Sequence, residues 1–261
     1  MNTPQEHALL LAHVEDLLAR ADGGEITYTA FLTPYEQRIV TRTFGARAAL
    51  RFDGGYACAE RQRLFCLPPW FEGASEADTT AWLADVRESC LVALRIQGSG
   101  FRELYHKDYL GAILNLGIER AHIGDVCVID TCAALLFCDR VLADFLTQDL
   151  HRVANDAVSL SVQAPPPDFD GGRRFAPITD TVASPRADSV VAALANLSRE
   201  RACELLRAGA VEIDYETTYD KDASVPEGVV IVIRGKGKFI IRSLSEQTRK
   251  GRYRLLADKY L

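Results

Sequence analysis

The run from Ser184 to Gly209, SPRADSVVAALANLSRERACELLRAG, does most to constrain the fold. It carries two short helix signals back to back. Ser184 is placed to cap a helix beginning near Pro185, with Val190, Val191, Ala193 and Leu194 on its apolar face. Ser198 is placed to cap a second helix, with Ala202, Leu205 and Leu206 turned inward and Gly209 as its stop. Two short helices with almost nothing between them form a corner. The runs VEIDYE, GVVIVIRG and KFIIRS that follow predict a small sheet for that corner to pack on. Gly235 and Gly237 let the backbone turn sharply, so that Lys236 and Lys238 project from a hairpin.

Charge is placed unevenly. Residues 1–183 hold 16 Lys/Arg against 25 Asp/Glu, whereas residues 184–261 hold 14 against 11, within a chain of net charge −6. From Arg234 to Arg254 there are eight basic residues and one acid, Glu246. A basic surface confined to one module of an acidic protein points to a docked polyanion rather than a general coating. The apolar content of 48% is that of an ordinary globular protein. No apolar run approaches the roughly 20 residues that span a bilayer. The N-terminus lacks a basic n-region and a cleavage site, so it reads as a first helix. The expected location is cytoplasmic. The seven cysteines include no C-x-x-C pair and read as free thiols in apolar runs; neither they nor the five histidines have metal-ligand spacing.

The predicted fold class is α+β. Residues 1–73 read as an N-terminal α/β domain. Its helices open at Thr3-Pro4-Gln5-Glu6 and Thr33-Pro34-Tyr35-Glu36, both capping-box signals, and its strands are ARAALRF and RLFCLPP, with Asp53-Gly54-Gly55 as a turn. Residues 74–164 give the order β-α-β-β-α-β, which is ferredoxin-like and shared with RNA-recognition motifs. Their second helix is DRVLADFLTQDLHRV. Such motifs stack bases on aromatics of the central strands; here only Phe137 is available, so the unit reads as a scaffold or protein-contact domain. Residues 165–183, rich in Pro, Gly and Asp, read as a linker. Residues 184–261 form the basic module.

The corner and hairpin of 184–261 resemble the RNA-binding domain named after small-subunit ribosomal protein S4. The segments FLTPYEQ, FDGGYACAERQRL, HKDYLGAILNLGIERAHIGDVCV and TRKGR are similar to signature segments of the bacterial YlmH-type S4-domain proteins, the family of ribosome-associated quality-control factors. The matches span most of the chain. The resemblance implies an N-terminal α/β part, a central RNA-recognition-motif-like part and an S4 domain. It implies rRNA and tRNA as partners on large ribosomal subunits that carry stalled peptidyl-tRNA. A similar cyanobacterial and plastid branch is linked to photosystem assembly. The chain departs from the pattern at Arg186-Ala187-Asp188, where Arg-Leu-Asp is usual, at Asp214 in place of Asn, and at Gly228-Val229 in place of Gly-Asp.

The expected RNA-binding residues are Arg186, Asp188, Ser198, Arg199, Arg201 and Arg207 on the corner, Arg234, Lys236 and Lys238 on the hairpin, and Arg249, Lys250 and Arg252 in the last basic run. Guanidinium groups on a rigid corner suit bidentate phosphate recognition. Asp188 reads as the group that holds Arg186 or a helix N-terminus. Enzyme signals are weak. His122-Ile123-Gly124-Asp125 only superficially resembles a synthetase signature. Gln97-Gly98-Ser99-Gly100 is glycine-poor for a nucleotide loop. His106 with Asp108, and His7 with Glu6, read as helix-start groups. The reading is a non-enzymatic RNA-binding protein with no cofactor, no metal and no small-molecule substrate. Two other classes stay open: an RNA-modifying enzyme with an S4 domain, and an assembly factor whose acidic regions bind a protein.

Overall fold

A computed structural model describes residues 4–45, 49–71, 75–244 and 251–261, which form two compact units, Met1–Gly172 and Arg173–Leu261. In the first unit, α1 (Pro4–Asp22) buries Val14, Leu17 and Ala21 along one stripe and ends where Gly24 takes φ +97. Thr3, expected to cap it, lies outside the described residues. The second start signal forms in full. Thr33 caps α2 (Pro34–Phe44): Glu36 N donates to Thr33 Oγ1 at 3.3 Å, and Thr33 N donates to Glu36 Oε2 at 2.7 Å. The two helices pack on an antiparallel sheet of β1 (Thr27–Tyr28), β2 (Leu50–Asp53) and β3 (Arg63–Cys66), ordered β1-β3-β2. Their shared core holds Leu32, Val40, Leu64 and Cys66.

The rest of this unit runs α3 (Glu76–Cys90), β4 (Leu91–Gly98), α4 (His106–Asn115), β5 (Ile123–Asp130), β6 (Ala133–Asp139), α5 (Ala143–Asp149), β7 (Arg152–Val153) and β8 (Asp156–Val162). Helix α3 was not expected; its sequence has no clear apolar stripe. The strands order as β5-β6-β4-β8-β7, antiparallel throughout. Period-two alternation splits the buried residues between two faces. Val92, Leu94, Ile96, Val126 and Leu136 face α4 and α5 with Tyr109, Ile113 and Leu146. Leu91, Ala93, Cys127, Leu135 and Phe137 face the other way and are covered by Phe31, Phe65 and Leu67 from the preceding region. The helix read over DRVLADFLTQDLHRV is shorter than its pattern. A 3-10 turn at Arg140–Leu142 precedes α5, and Arg152–Val153 is already a strand.

The second unit is one sheet and two helices. Strands β9 (Phe175–Val182), β10 (Val211–Ile213), β11 (Glu216–Thr217), β12 (Val230–Ile233), β13 (Gly237–Ser243) and β14 (Tyr253–Tyr260) order as β11-β10-β12-β13-β14-β9. The linker reading of 165–183 is therefore corrected. Phe175–Val182 is an edge strand paired along its length with β14, from Phe175 opposite Tyr260 to Val182 opposite Tyr253. Its signal, FAPITDTV, is weak because only Ile178 and Val182 pack on the core, and Pro177 is tolerated because the strand is an edge. Helices α6 (Ala187–Ala195) and α7 (Arg199–Arg207) cover one face. Every residue of α6 except Ala193 is buried, the mark of a helix enclosed on all sides. Each buried Val or Leu contributes about 1.5–3 kcal/mol relative to exposure. Ser184 does not cap α6. Arg186 occupies the N-cap with no side-chain cap bond, and Ser184 Oγ lies 3.4 Å from Ser189 Oγ. Among the described residues, no helix is long and apolar enough to cross a membrane.

Candidate nucleic-acid interface

The corner is closed by local chemistry. Asn196 ends α6 at φ 52, a left-handed position that Asn tolerates. Two residues later Ser198 caps α7, accepting from Arg201 N at 3.2 Å. A return loop runs beside the entry to α6: Ala187 N donates to Ala223 O at 2.9 Å, Asp188 N to Lys221 O at 3.1 Å, and Val225 N to Pro185 O at 2.9 Å.

Asp188 is the centre of the arrangement. It is 3% exposed and accepts from Arg199 Nη2 at 2.6 Å and Arg186 Nη2 at 3.2 Å. Burial opposes its ionisation, but the Arg199 hydrogen bond and charge, with those of Arg186, hold the carboxyl below its ordinary value. The same contact raises Arg199. The Arg186 and Arg199 side chains are 39% and 54% exposed, although Arg186 Nε is buried. Arg186 also pairs with Asp222, an acid the sequence reading did not connect to it. Each guanidinium has five N–H donors, and Asp188 takes one from each. The corner therefore presents positioned donors at the surface of a buried anion. It can bind phosphate through donor geometry more than through bulk charge, because acids already compensate part of that charge.

Arg201, on the first turn of α7, pairs with Glu204. Arg207 is exposed in the last turn. Gly209, at φ +62, ends the helix, and a Cβ there would come within 3.0 Å of the Tyr219 ring. The missing side chain thus leaves room for Tyr219, which is 66% exposed beside the basic helix. The hairpin tip joins the same end: Arg234 N donates to Ala210 O at 2.8 Å, and Arg234 and Lys236 are exposed. The structure brings Arg186, Asp188 and Arg199 together and sets Arg207 near the Arg234–Lys236 turn. Lys238 is separate. It projects from the sheet face opposite the helices, its Nζ 5.3 Å from the Tyr215 ring centre and 4.7 Å from that of Tyr260. Arg252 binds Thr181, through Nε to Oγ1 at 3.0 Å and Nη2 to the carbonyl at 2.5 Å. Arg249 and Lys250 lie outside the described residues. Tyr219 and Asp222 could not be tied to the site from sequence, because only the return loop brings them to it.

The segment FDGGYACAERQRL is structural. Asp125, in β5, accepts from Tyr56 Oη at 2.7 Å, Glu60 N at 2.7 Å and Arg61 N at 3.1 Å. Arg61 donates to the carbonyls of Ile123, Phe31 and Arg120. Burial, with Asp125 beside it, raises the Tyr56 hydroxyl, so it stays a donor. Asp125 belongs to the His122-Ile123-Gly124-Asp125 run, whose residues thus act as a fastening. Arg63, 3% exposed, pairs with Asp139 and lies over the rings of Tyr28 and Phe31 at 5.1 and 4.8 Å. Phe137, the one aromatic offered for base stacking, is 0% exposed against Tyr56 and Phe169. A cleft at Asp53, Tyr56, Arg87 and Pro165–Pro167 has its two charged groups paired with each other at 3.3 Å. Among the described residues no three His, Cys, Asp or Glu side chains cluster as metal ligands do.

Three comparisons bear on this geometry. A family model described as a putative RNA-binding domain in YlmH matches residues 90–165. Over 238 residues the chain is 29% identical to the ribosome-associated protein quality control protein P2 of Bacillus subtilis (strain 168), spanning 88% of this chain and 86% of that protein. Among solved structures, the cell division protein ylmH from Streptococcus pneumoniae aligns with a TM-score of 0.43 at 20% identity, covering 61% of this chain and 87% of that one. The YlmH-type resemblance carried by the sequence motifs is supported by the family-model match and by the Bacillus subtilis relative, and with it an RNA-binding domain and likeness to a ribosome-associated quality-control protein.

Proposed function

We propose that this chain is a non-catalytic RNA-binding protein of the translation apparatus. Its α6–α7 corner, read as an S4-type domain, docks on structured rRNA and tRNA of the large ribosomal subunit during quality control of stalled peptidyl-tRNA in the cytoplasm. The single observation that carries the reading is the Asp188-centred pair, Arg186 and Arg199, held at hydrogen-bond distance yet open to solvent. Such donors suit the backbone of folded RNA. The similarity to a ribosome-associated quality-control protein supports the setting. Residues 1–73 and 74–164 serve as the N-terminal and central domains, fastened through Asp125 and Arg63.

The test is sedimentation. The protein should travel with large subunits at low salt, enriched when peptidyl-tRNA is retained after subunit splitting. Arg199→Ala should move it to the free fraction. A wild type that stays free under all these conditions refutes the ribosomal setting.

A second RNA contact is favoured by the family match over 90–165. With Phe137 enclosed, the most exposed aromatic described in that unit lies in the β4–α4 loop. There Phe101 is 86% exposed beside Arg102. The loop is held by Asp156, 2% exposed, which accepts from Ser99 N at 3.1 Å and also binds Ser99 Oγ. A stiff loop carrying an aromatic and an arginine can meet an RNA that the corner has already docked. Loss of subunit binding in Phe101→Ala, with an unchanged melting temperature, supports it; unchanged binding removes it.

A further inference from the structure

The six-stranded sheet of the second unit has one face under α6 and α7 and one face that, among the described residues, carries no helix. On that second face, cross-strand register places Lys238 and Arg242 of β13, Arg254 and Tyr260 of β14, and Phe175 of β9. These side chains make a connected row. Tyr260 and Phe175 meet edge to face at 5.0 Å. Lys238 Nζ sits between the Tyr260 and Tyr215 rings, and the Arg242 guanidinium lies 5.3 Å from the Phe175 ring centre. Arg242, Arg254, Pro177 and Thr179 on this face are exposed, and the three rings are half-buried.

Tyr215 reaches the row from the two-residue turn Asp214–Tyr215 between β10 and β11, where φ is 54 and 67. That turn type favours Asn or Gly, and an aromatic residue at φ > 0 is an outlier. Strain of this kind persists where the side chain has a task the turn itself does not need. Rings interleaved with cations on an open sheet are the composition that single-stranded nucleic acid uses: bases stack on the rings while Lys and Arg meet the phosphates. On the helix-covered face the Phe239 ring and the aliphatic side chains are enclosed, which leaves no room for a base to stack on them.

We infer that the open sheet face, through Tyr215, Tyr260, Phe175, Lys238 and Arg242, is a second RNA site that stacks unpaired nucleobases next to the folded RNA held by the corner. It rests on the RNA-binding reading above and adds the class of nucleotide this face takes. Asp258, which pairs with Arg242 at 2.8 Å, limits the net positive charge here. Stacking therefore contributes more to binding than phosphate attraction does.

The test uses the full chain and two RNAs: a blunt-ended hairpin, and the same hairpin with a six-nucleotide single-stranded extension carrying 5-iodouridine. Wild type should bind the extended RNA about ten-fold more tightly, and irradiation should crosslink it at Tyr260, Tyr215 or Phe175. Tyr260→Leu should abolish that ten-fold advantage and leave blunt-hairpin binding unchanged. Phe175→Leu, on the edge strand, is the substitute if Tyr260→Leu melts early. Arg199→Ala should weaken both RNAs. Equal wild-type affinity for the two RNAs, or crosslinks only to α6 and α7, overturns this inference while leaving the corner reading intact. Binding of neither RNA overturns both. With purified large subunits as the target, photocrosslinks from these positions to a ribosomal protein instead of RNA would reassign the face to a protein partner.

Discussion

Asp188→Asn separates two explanations of the basic corner, because charge and position predict opposite signs. The carboxylate accepts from Arg199 at 2.6 Å and Arg186 at 3.2 Å while being 3% exposed. A hydrogen bond to a charged group contributes about 1.5–3 kcal/mol. Both guanidinium groups keep water contact, which puts each bond at the low end. Both bonds end on Oδ2, where asparagine can offer only an uncharged acceptor, so the net loss of stability is about 2 kcal/mol. For a unit of this size, ~1 kcal/mol moves the melting temperature by about 4–8 °C. The Arg173–Leu261 unit should therefore melt about 10 °C lower. If RNA affinity followed charge alone, deleting an anion about 8 Å from a phosphate would strengthen binding by about 0.5 kcal/mol. If affinity follows position, releasing one of the two arginines costs about 1.5 kcal/mol, and the net is a weakening near 1 kcal/mol, about five-fold. Fluorescence-anisotropy titration well below the melting temperature, at one fixed salt concentration, reads the sign. Tighter or unchanged binding by a folded Asp188→Asn protein would refute the claim that Asp188 positions the recognition groups.

Other side chains of the corner and of the first unit give further expected outcomes. Arg199→Ala and Arg186→Ala should each weaken RNA binding by about 1–3 kcal/mol, with Arg199→Ala reducing the slope of log K against log salt by about one phosphate contact; titrations at three salt concentrations check this. Asp139→Ala, which strands the buried Arg63, should destabilise the first unit by about 3–5 kcal/mol and leave RNA affinity of the folded protein unchanged, as chemical denaturation and titration would show. Because the folded Asp188 carboxyl lies below its ordinary value, its contribution is complete above the unfolded carboxylate range of about pH 4 and is lost as pH falls through the lowered folded value. The stability gap between wild type and Asp188→Asn should thus be full at pH 7 and close in acid, as melting curves from pH 7 to pH 3 would reveal.

Local patterns were legible where one residue type carries one job. The Thr33–Glu36 capping box, the Ser198 cap and the Gly209 stop appear where the sequence places them. The short apolar runs CLVALRIQ and AALLFC mark two strands that neighbour each other in the central sheet. Legibility failed where tertiary partners supply the reason. Phe175–Val182 looks like a linker because its edge position needs only two inward side chains, and pairing with β14 is invisible locally. Ser184 resembles a cap, but the return loop, bonded to Ala187 and Asp188, satisfies the backbone groups at the start of α6 instead. In the site, Arg186, Asp188 and Arg199 could be singled out through the resemblance to the S4-type motif. Asp222, Tyr219 and the Tyr215–Tyr260 row depend on loop return and strand register, which no short-range pattern encodes.

The charge division and the family match point to different parts of the chain for the proposed RNA contact, and electrostatics reconciles the two. Residues 1–183 carry nine more acids than bases, so within a Debye length of about 8 Å that region repels RNA, and beyond it salt screens the repulsion. On the proposed reading, electrostatic capture falls to residues 184–261. Within a few ångströms the net charge matters less than local groups, and stacking or hydrogen bonding at the Phe101–Arg102 loop can act once docking has occurred. The covered sheet face supports this order of events. With Phe137 enclosed by Tyr56 and Phe169, the central unit lacks a broad surface on which to capture bases by itself. Its rigid fastening through Asp125 instead suits it to hold a short contact in place. Affinity contributed by the central unit should therefore be insensitive to salt, and affinity from the corner sensitive to it. That difference follows from where the charges lie.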